Sequence, residues 1–270
     1  MCGIVGYAGY RQAAPLLLDG LSKLEYRGYD SAGVCIQGPE GLEVAKSRGR
    51  LQILSEKIQA GAGLPGLVGV GHTRWATHGA PSDENSHPHL SQNGKIAVVH
   101  NGIIENYLEL RERLTKEGVS FCSDTDTEVV SNLIARLYEE QGDLLEAVRM
   151  AVARLEGSYA LGIICSECPE KIFAVRKDSP LIIGIGQGEN YIASDVPAIL
   201  PRTRDIYRLK DKEIAVLTRE SIQFYNQELE PIQKESERIQ WDIDAAEKGG
   251  YEHFMMKEIC EQPEALRKTI

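Results

Sequence analysis

The 270-residue sequence lacks the features of several specialised classes of protein. It has no run of about 18 apolar residues, the length that a membrane span requires. Its N-terminus has no basic segment followed by a long apolar one, so it does not resemble a secretion signal. The net charge of −10 argues against a nucleic-acid partner, because such binding needs clustered Lys and Arg. These absences predict a cytoplasmic protein with neither a membrane nor a nucleic-acid partner.

Cysteine is too scarce for a disulfide scaffold, since the chain has only six. Cys165 and Cys168 form a single C-x-x-C, and one such pair without a nearby His cluster is weak evidence for zinc. We interpret this pair as the end of a strand followed by a turn. His87 and His89, in the sequence HPH, also lack a third ligand nearby. We therefore expect no metal site.

The apolar periodicity divides the chain into strands, then helices, then strands. The first part alternates strand-like segments with helical ones at 12–24 and 51–60. Three amphipathic helices are predicted at 105–117, 127–140 and 144–155, and strand-like runs fill 158–225. This order predicts an α+β fold with two stacked, largely antiparallel sheets and helices outside both.

Two stretches interrupt this pattern. Residues 76–94 show no periodicity, and a loop of that length in a compact domain is usually functional or mobile. Residues 231–237 are polar and linker-like, and 244–270 are helical in composition. We therefore predict one domain over 1–240, followed at 241–270 by a linker and the start of a second domain.

Cys2 is the first candidate for chemistry, because it directly follows Met1. If Met1 is removed, Cys2 carries both a thiol and the free α-amine. An α-amine titrates near pH 7.7–8.0, so it can act as a general base at neutral pH. Its thiol would then be a nucleophile activated by its own amine. The alternative is a buried cysteine that only packs.

The segment HTRWATHG offers groups that could bind a substrate. Arg74 could hold a carboxylate through its planar guanidinium, or it could end a strand and face solvent. Trp75 could be a core aromatic or a lid over a pocket. Thr77 and His78 could supply further hydrogen bonds.

The segment IAVVHNG runs from a strand directly into Asn101 and Gly102. Asn-Gly favours a hairpin turn. The alternative is an oxyanion hole, in which the Asn101 amide and the Gly102 N–H converge on a developing negative charge.

The segment SDTDTE precedes a predicted helix. Thr125 and Glu128 have the spacing of a capping box, and Asp126 would be an acid favoured by the helix dipole. Alternatively, Asp126 faces a site and pairs with a substrate ammonium.

Five segments in this order resemble one family: MCGIVGY, LEYRGYDSAG, GHTRWATHG, HNGIIENY and DTDTE. They are similar to the glutaminase domain of the glutamine–fructose-6-phosphate aminotransferases, which are class II glutamine amidotransferases. The final KEICEQPEALRKTI resembles the passage of those enzymes into their sugar-isomerase half.

The resemblance implies an N-terminal nucleophile hydrolase fold, a four-layer αββα sandwich. It implies hydrolysis of L-glutamine to glutamate and ammonia through a Cys2 thioester, with the α-amine as base and no cofactor. Asn101 and Gly102 would form the oxyanion hole.

The resemblance also assigns the binding groups. Arg74, assisted by Thr77 and His78, would hold the α-carboxylate of glutamine, and Asp126 its α-ammonium. Trp75 would gate the passage of ammonia. The partner would be a C-terminal isomerase domain that binds fructose 6-phosphate, in an enzyme expected to be a homo-oligomer.

Two alternatives remain. The chain could be the glutaminase domain of another amidotransferase, such as an amidophosphoribosyltransferase. It could also be a non-catalytic module that binds glutamine and regulates a partner.

Overall fold

The computed structural model describes residues 2–76, 79–240, 251 and 254–269. Its strands form two sheets in which every neighbouring pair is antiparallel. The first sheet has eight strands, in the spatial order β15 (Glu237–Arg238), β11 (Asp205–Arg208), β9 (Ile182–Ile185), β10 (Asn190–Ala193), β1 (Gly3–Ala8), β4 (Val68–Arg74), β2 (Ser31–Gly38) and β3 (Gly41–Arg48).

The second sheet has seven strands. Their spatial order is β14 (Pro231–Ile232), β13 (Ile222–Tyr225), β12 (Ile214–Leu217), β8 (Ile172–Lys177), β7 (Gly157–Cys165), β6 (Ile96–Ile104) and β5 (His89–Leu90).

Helices cover the outer side of each sheet. The first sheet packs against α1 (Ala13–Ser22) and α2 (Leu51–Lys57). The second packs against α3 (Tyr107–Lys116), α4 (Thr127–Gln141) and α5 (Leu144–Val152). A last helix, α6 (Phe254–Thr269), lies within the segment predicted to be helical.

The hydrophobic core has three layers, because each sheet is buried on both faces. In β6, Val98 packs with the helices of its own side, whereas Val99 packs between the two sheets. In β1, Ile4 lies between the sheets and Val5 faces the helices of the first sheet. This alternation with a period of two is the pleat of a strand, and it produces the predicted four-layer αββα sandwich.

Two local predictions were wrong. Asn101 and Gly102 do not form a hairpin turn, because β6 continues through them to Ile104 and pairs with β7 throughout. Residues 231–237 are not a simple linker, since they contribute to the edge strands β14 and β15. Two-residue strands are too short to show a periodicity in the sequence.

The predicted C-x-x-C geometry is confirmed, since Cys165 ends β7 and Cys168 lies in the turn that follows. The predicted domain boundary near residue 240 adjoins residues 241–250, which lie outside the described part of the chain. Within the described residues, no helix combines the length and apolar character needed to cross a membrane.

The layer between α4 and the second sheet gives a test of the packing. Leu133 on α4 is 2% exposed, whereas Leu108 on α3 is 64% exposed. We expect Leu133→Ala to lower the free energy of unfolding by about 2–5 kcal/mol, through lost burial and the cavity it leaves. Leu108→Ala should change it by less than about 0.5 kcal/mol. Urea denaturation of both variants measures this, and equal losses would contradict the assigned layer.

Candidate active site

The first sheet places Cys2 beside the end of β4. Gly3 pairs with Thr73 in the register of β1 and β4, so the residue before β1 adjoins the residues that end β4. The Trp75 N–H donates to Cys2 Sγ at 3.2 Å, and Sγ lies 3.6 Å from the Trp75 carbonyl oxygen. The backbone of Trp75 therefore holds the Cys2 side chain beside the end of β4.

The second sheet reaches the same point through β6. Asn101 Nδ2 donates to the Cys2 carbonyl oxygen at 3.0 Å. Gly102 follows with φ of +127°, and a Cβ built there would lie 2.1 Å from the Ser158 carbonyl oxygen. Only glycine fits this position, because a larger residue would collide with β7 and adopt a strained backbone. The same demand for positive φ makes Asn-Gly favour turns, which explains the wrong turn prediction.

A cavity of about 320 Å³ opens beside the thiol, a size that suits a small ligand. Four of the residues predicted for the site line it, namely Cys2, Trp75, Asn101 and Gly102. The other lining residues are Arg27, Ile103, Ser158, Ser179, Pro180 and Ser194. The structure thus brings together the predicted nucleophile and the predicted oxyanion-hole residues.

Arg74 lies next to this cavity but does not line it. It is the last residue of β4 and is 3% exposed, and its Nη2 donates to the Gly79 carbonyl oxygen at 3.1 Å. Burial lowers the pKa of the Arg74 guanidinium, while attraction to Cys2 and Asp126 opposes that shift. The cation is therefore within electrostatic reach of both groups. It does not face solvent.

Trp75 is 44% exposed at the mouth of the cavity, so it is not a core aromatic. Its ring meets Tyr29 edge to face, with centroids 5.3 Å apart. The role of a lid over the pocket stays a prediction. Thr77 and His78 lie outside the described residues.

Asp126 is 6% exposed and does not line the cavity. Its Oδ2 accepts a hydrogen bond from the Ile104 N–H at 2.9 Å and lies 3.9 Å from His100 Nδ1. This places its carboxylate against the end of β6, just beyond Gly102.

The predicted capping box is half right. Thr125 Oγ1 accepts from the Glu128 N–H at 3.4 Å. The Glu128 carboxylate instead accepts from the N–H groups of Cys122 and Ser123, at 2.8 and 2.6 Å. The Thr125 N–H donates instead to Ser123 Oγ at 3.3 Å, so this donor is satisfied without the Glu128 carboxylate.

Burial raises the pKa of the Cys2 thiol, and the Trp75 N–H and Arg74 only partly offset this effect. The thiol is therefore protonated at neutral pH. Because the thiolate is the nucleophilic form, attack on a substrate needs a base close to Sγ.

Asp30 and Arg27 lie at the site but were not predicted from the sequence. Asp30 Oδ2 accepts from the Ala76 N–H at 2.9 Å, and the Asp30 N–H donates to the Arg74 carbonyl oxygen at 3.0 Å. Asp30 therefore holds the chain where it leaves β4. Arg27 lines the cavity and forms an ion pair with Asp195. The signal was available, because both residues belong to the segment LEYRGYDSAG.

A cluster of four buried histidines lies behind Asn101 and was not predicted as a cluster. Its members are His72, His87, His89 and His100. Burial lowers the pKa of each imidazole, so all four are neutral at pH 7. Among the residues that the structure describes, no group of three or more His, Cys, Asp or Glu side chains is placed to hold a metal ion.

Comparisons with known sequences agree with this geometry. A family model described as a glutamine amidotransferase domain matches residues 59–237. The glutamine–fructose-6-phosphate aminotransferases (isomerizing) of Clostridium acetobutylicum and Thermus thermophilus are 58% and 52% identical over 270 residues. Each match covers 100% of this chain and 44% of the relative. The chain therefore spans less than half the length of these relatives.

Solved structures share the architecture. A glutamine phosphoribosylpyrophosphate amidotransferase from B. subtilis superposes with a TM-score of 0.74 at 25% identity, covering 85% of this chain and 50% of that one. A structure described as the allosteric regulatory enzyme of purine biosynthesis gives 0.72 at 26% identity, covering 90% and 50%. The predicted α+β fold of the N-terminal nucleophile hydrolase type is confirmed. With the family model matching more than half of its length, the chain belongs to the glutamine amidotransferase domain family.

Proposed function

We propose that this chain hydrolyses L-glutamine to glutamate and ammonia through a γ-glutamyl thioester on Cys2. One observation carries the proposal. The Cys2 thiol lines a cavity of about 320 Å³ together with Asn101 and Gly102, which have the chemistry of an oxyanion hole.

The first step requires a base, because burial keeps the Cys2 thiol protonated. Met1 lies outside the described residues. Its removal would give Cys2 a free α-amine, whose ordinary pKa of about 7.7–8.0 suits a general base at neutral pH. The thiol proton passes to this amine, and Sγ attacks the side-chain amide carbon of glutamine.

The tetrahedral intermediate carries a negative oxygen. One Asn101 N–H is bonded to the Cys2 carbonyl oxygen, so the second N–H of the same amide is left for the intermediate. The Gly102 N–H is the second donor. Removal of one such donor typically costs about 10²–10³-fold in rate.

The intermediate collapses when its C–N bond breaks, and the protonated amine gives its proton to the leaving ammonia. Water then attacks the thioester, again with the amine as base. Glutamate leaves and the Cys2 thiol is restored.

Arg74 and Asp126 would hold the zwitterionic end of glutamine, the first through its α-carboxylate and the second through its α-ammonium. The charges suit this assignment, and Arg74 is buried close to the thiol. Arg74 donates one hydrogen bond to the Gly79 carbonyl oxygen, and a guanidinium has five N–H donors, so this bond is compatible with a bound carboxylate. Thr77 and His78 would supply further hydrogen bonds to that carboxylate.

The relatives are named for an aminotransferase that uses fructose 6-phosphate. We propose that residues 1–240 form the glutaminase domain and that 241–270 begin the passage to a C-terminal isomerase domain. Ammonia would pass from the cavity to fructose 6-phosphate held there, in a cytoplasmic homo-oligomer. The exposed Trp75 at the mouth of the cavity suits a gate for this passage.

Replacing the nucleophile tests the proposal directly. We expect Cys2→Ala to lower ammonia release from glutamine by more than about 10³-fold, because no other thiol lines the described cavity. Cys122→Ala is the control, since Cys122 is exposed and outside that cavity. A coupled glutamate assay measures both, with circular dichroism to show that each variant folds. Full turnover by Cys2→Ala would remove the nucleophile. Saturable glutamine binding by the unmodified chain without ammonia release would favour a regulatory module.

The raised thiol pKa gives a second test. At neutral pH, Cys2 in the folded chain should react with iodoacetamide more slowly than Cys2 in the urea-unfolded chain, since less of it is thiolate. The rate should rise with pH, and its inflection should lie at a higher pH than in the unfolded chain. Restricted access would lower the rate at every pH without moving the inflection, so the inflection reports the pKa. Peptide mapping by mass spectrometry gives the two profiles. An inflection at or below the unfolded value would contradict the burial argument.

A further inference from the structure

We propose that His72 is a positioning residue that fixes the Asn101 amide in the orientation required for the oxyanion hole. The inference rests on the proposed function, since it assigns a task within that site. It concerns a side chain that touches neither the cavity nor the thiol.

The hydrogen bonds determine the orientation of the amide. The Cys2 carbonyl oxygen can only accept, so the group of Asn101 that lies 3.0 Å from it must be Nδ2. Asn101 Oδ1 then faces His72 Nε2, also at 3.0 Å. Because Oδ1 can only accept, His72 Nε2 must carry the ring proton. The tautomer of His72 therefore follows from the carbonyl of Cys2.

His72 is held rigidly. It lies on β4 opposite Ile4 and is fully buried, and its Nε2 also lies 3.0 Å from the His100 carbonyl oxygen. Its ring stacks on His87, with centroids 4.2 Å apart and planes 18° from parallel. Burial lowers the pKa of His72 to about 3, so the ring keeps one proton at neutral pH.

This contact prevents the inverted amide. If Asn101 rotated by half a turn, its Oδ1 would face the Cys2 carbonyl oxygen and the negative oxygen of the intermediate. Two acceptors would then meet at both of these contacts. At His72 two donors would meet, and its buried N–H would keep only the His100 carbonyl oxygen as a partner. The donor on His72 therefore selects the orientation in which both N–H groups of Asn101 face the site.

The cluster itself offers a matched control. His89 is also buried and also contacts the His87 ring, but its Nε2 bonds to Thr125 Oγ1 at 3.1 Å rather than to Asn101. A loss of activity through packing alone would follow from substituting either histidine. A loss through the amide would follow only from His72.

The test compares three variants in steady-state glutaminase assays. We expect His72→Leu to lower kcat by about 10²-fold or more, as when an oxyanion donor is lost, with KM for glutamine changed less than about threefold. His72→Gln should recover most of kcat, because its amide N–H reaches the same place. His89→Leu should stay within about threefold of the original kcat. The proposal is overturned if His72→Leu keeps its kcat, if His72→Gln is equally slow, or if His89→Leu is impaired as much.

A second measurement uses the unmodified chain, so it tests the proposal even if a His72 variant does not fold. Long-range ¹H–¹⁵N spectra of the ¹⁵N-histidine-labelled chain should show His72 as the neutral Nε2–H tautomer from about pH 5 to pH 8. A proton on Nδ1, or titration of His72 in that range, would overturn the proposal. If the function itself were wrong, the unmodified chain would release no ammonia while this tautomer persisted.

Discussion

The hydrogen bond from Asn101 Nδ2 to the Cys2 carbonyl oxygen is the contact on which the site depends. It joins the start of β1, in one sheet, to β6 in the other. The Trp75 N–H, which donates to the Cys2 thiol, gives the same residue a second anchor. Because the same amide is the proposed oxyanion donor, one side chain both anchors the nucleophile and stabilises the charge that the nucleophile creates. The four-layer core makes this possible, since it fixes the distance between the two sheets.

Burial shifts the pKa values of the groups around this contact in opposite directions, and in each case it favours the neutral form. It keeps the Cys2 thiol protonated, so the nucleophile depends on a base. It also keeps the nearby histidines neutral, so they act as hydrogen-bonding partners without adding positive charge. Arg74 remains a cation because a guanidinium does not lose its proton in proteins. The site therefore combines the fixed positive charge of Arg74 with a neutral thiol, an arrangement suited to a substrate that carries a carboxylate.

Much of the fold was predictable, because long amphipathic helices such as α4 and buried strands such as β7 have clear periodicities. The edge strands β14 and β15 were not, since two residues carry no period. For the site, Cys2 and Asn101 were recognisable from their motifs and their family resemblance. The path of β6 through Gly102 was not, because positive φ suits a turn and a strand distortion equally. His72 was not predicted, because its contact with Asn101 joins β4 of one sheet to β6 of the other, and no local pattern encodes such a contact.

The proposed mechanism requires that Cys2, with its own α-amine, forms a thioester with glutamine. Acid quenching during turnover, followed by mass spectrometry of the N-terminal peptide, tests it most directly. We expect a peptide that begins at Cys2 and carries a γ-glutamyl group on the thiol, and this group should disappear when glutamine is exhausted. Turnover by a chain whose N-terminal peptide still begins at Met1, or turnover with no adduct on Cys2, would contradict it.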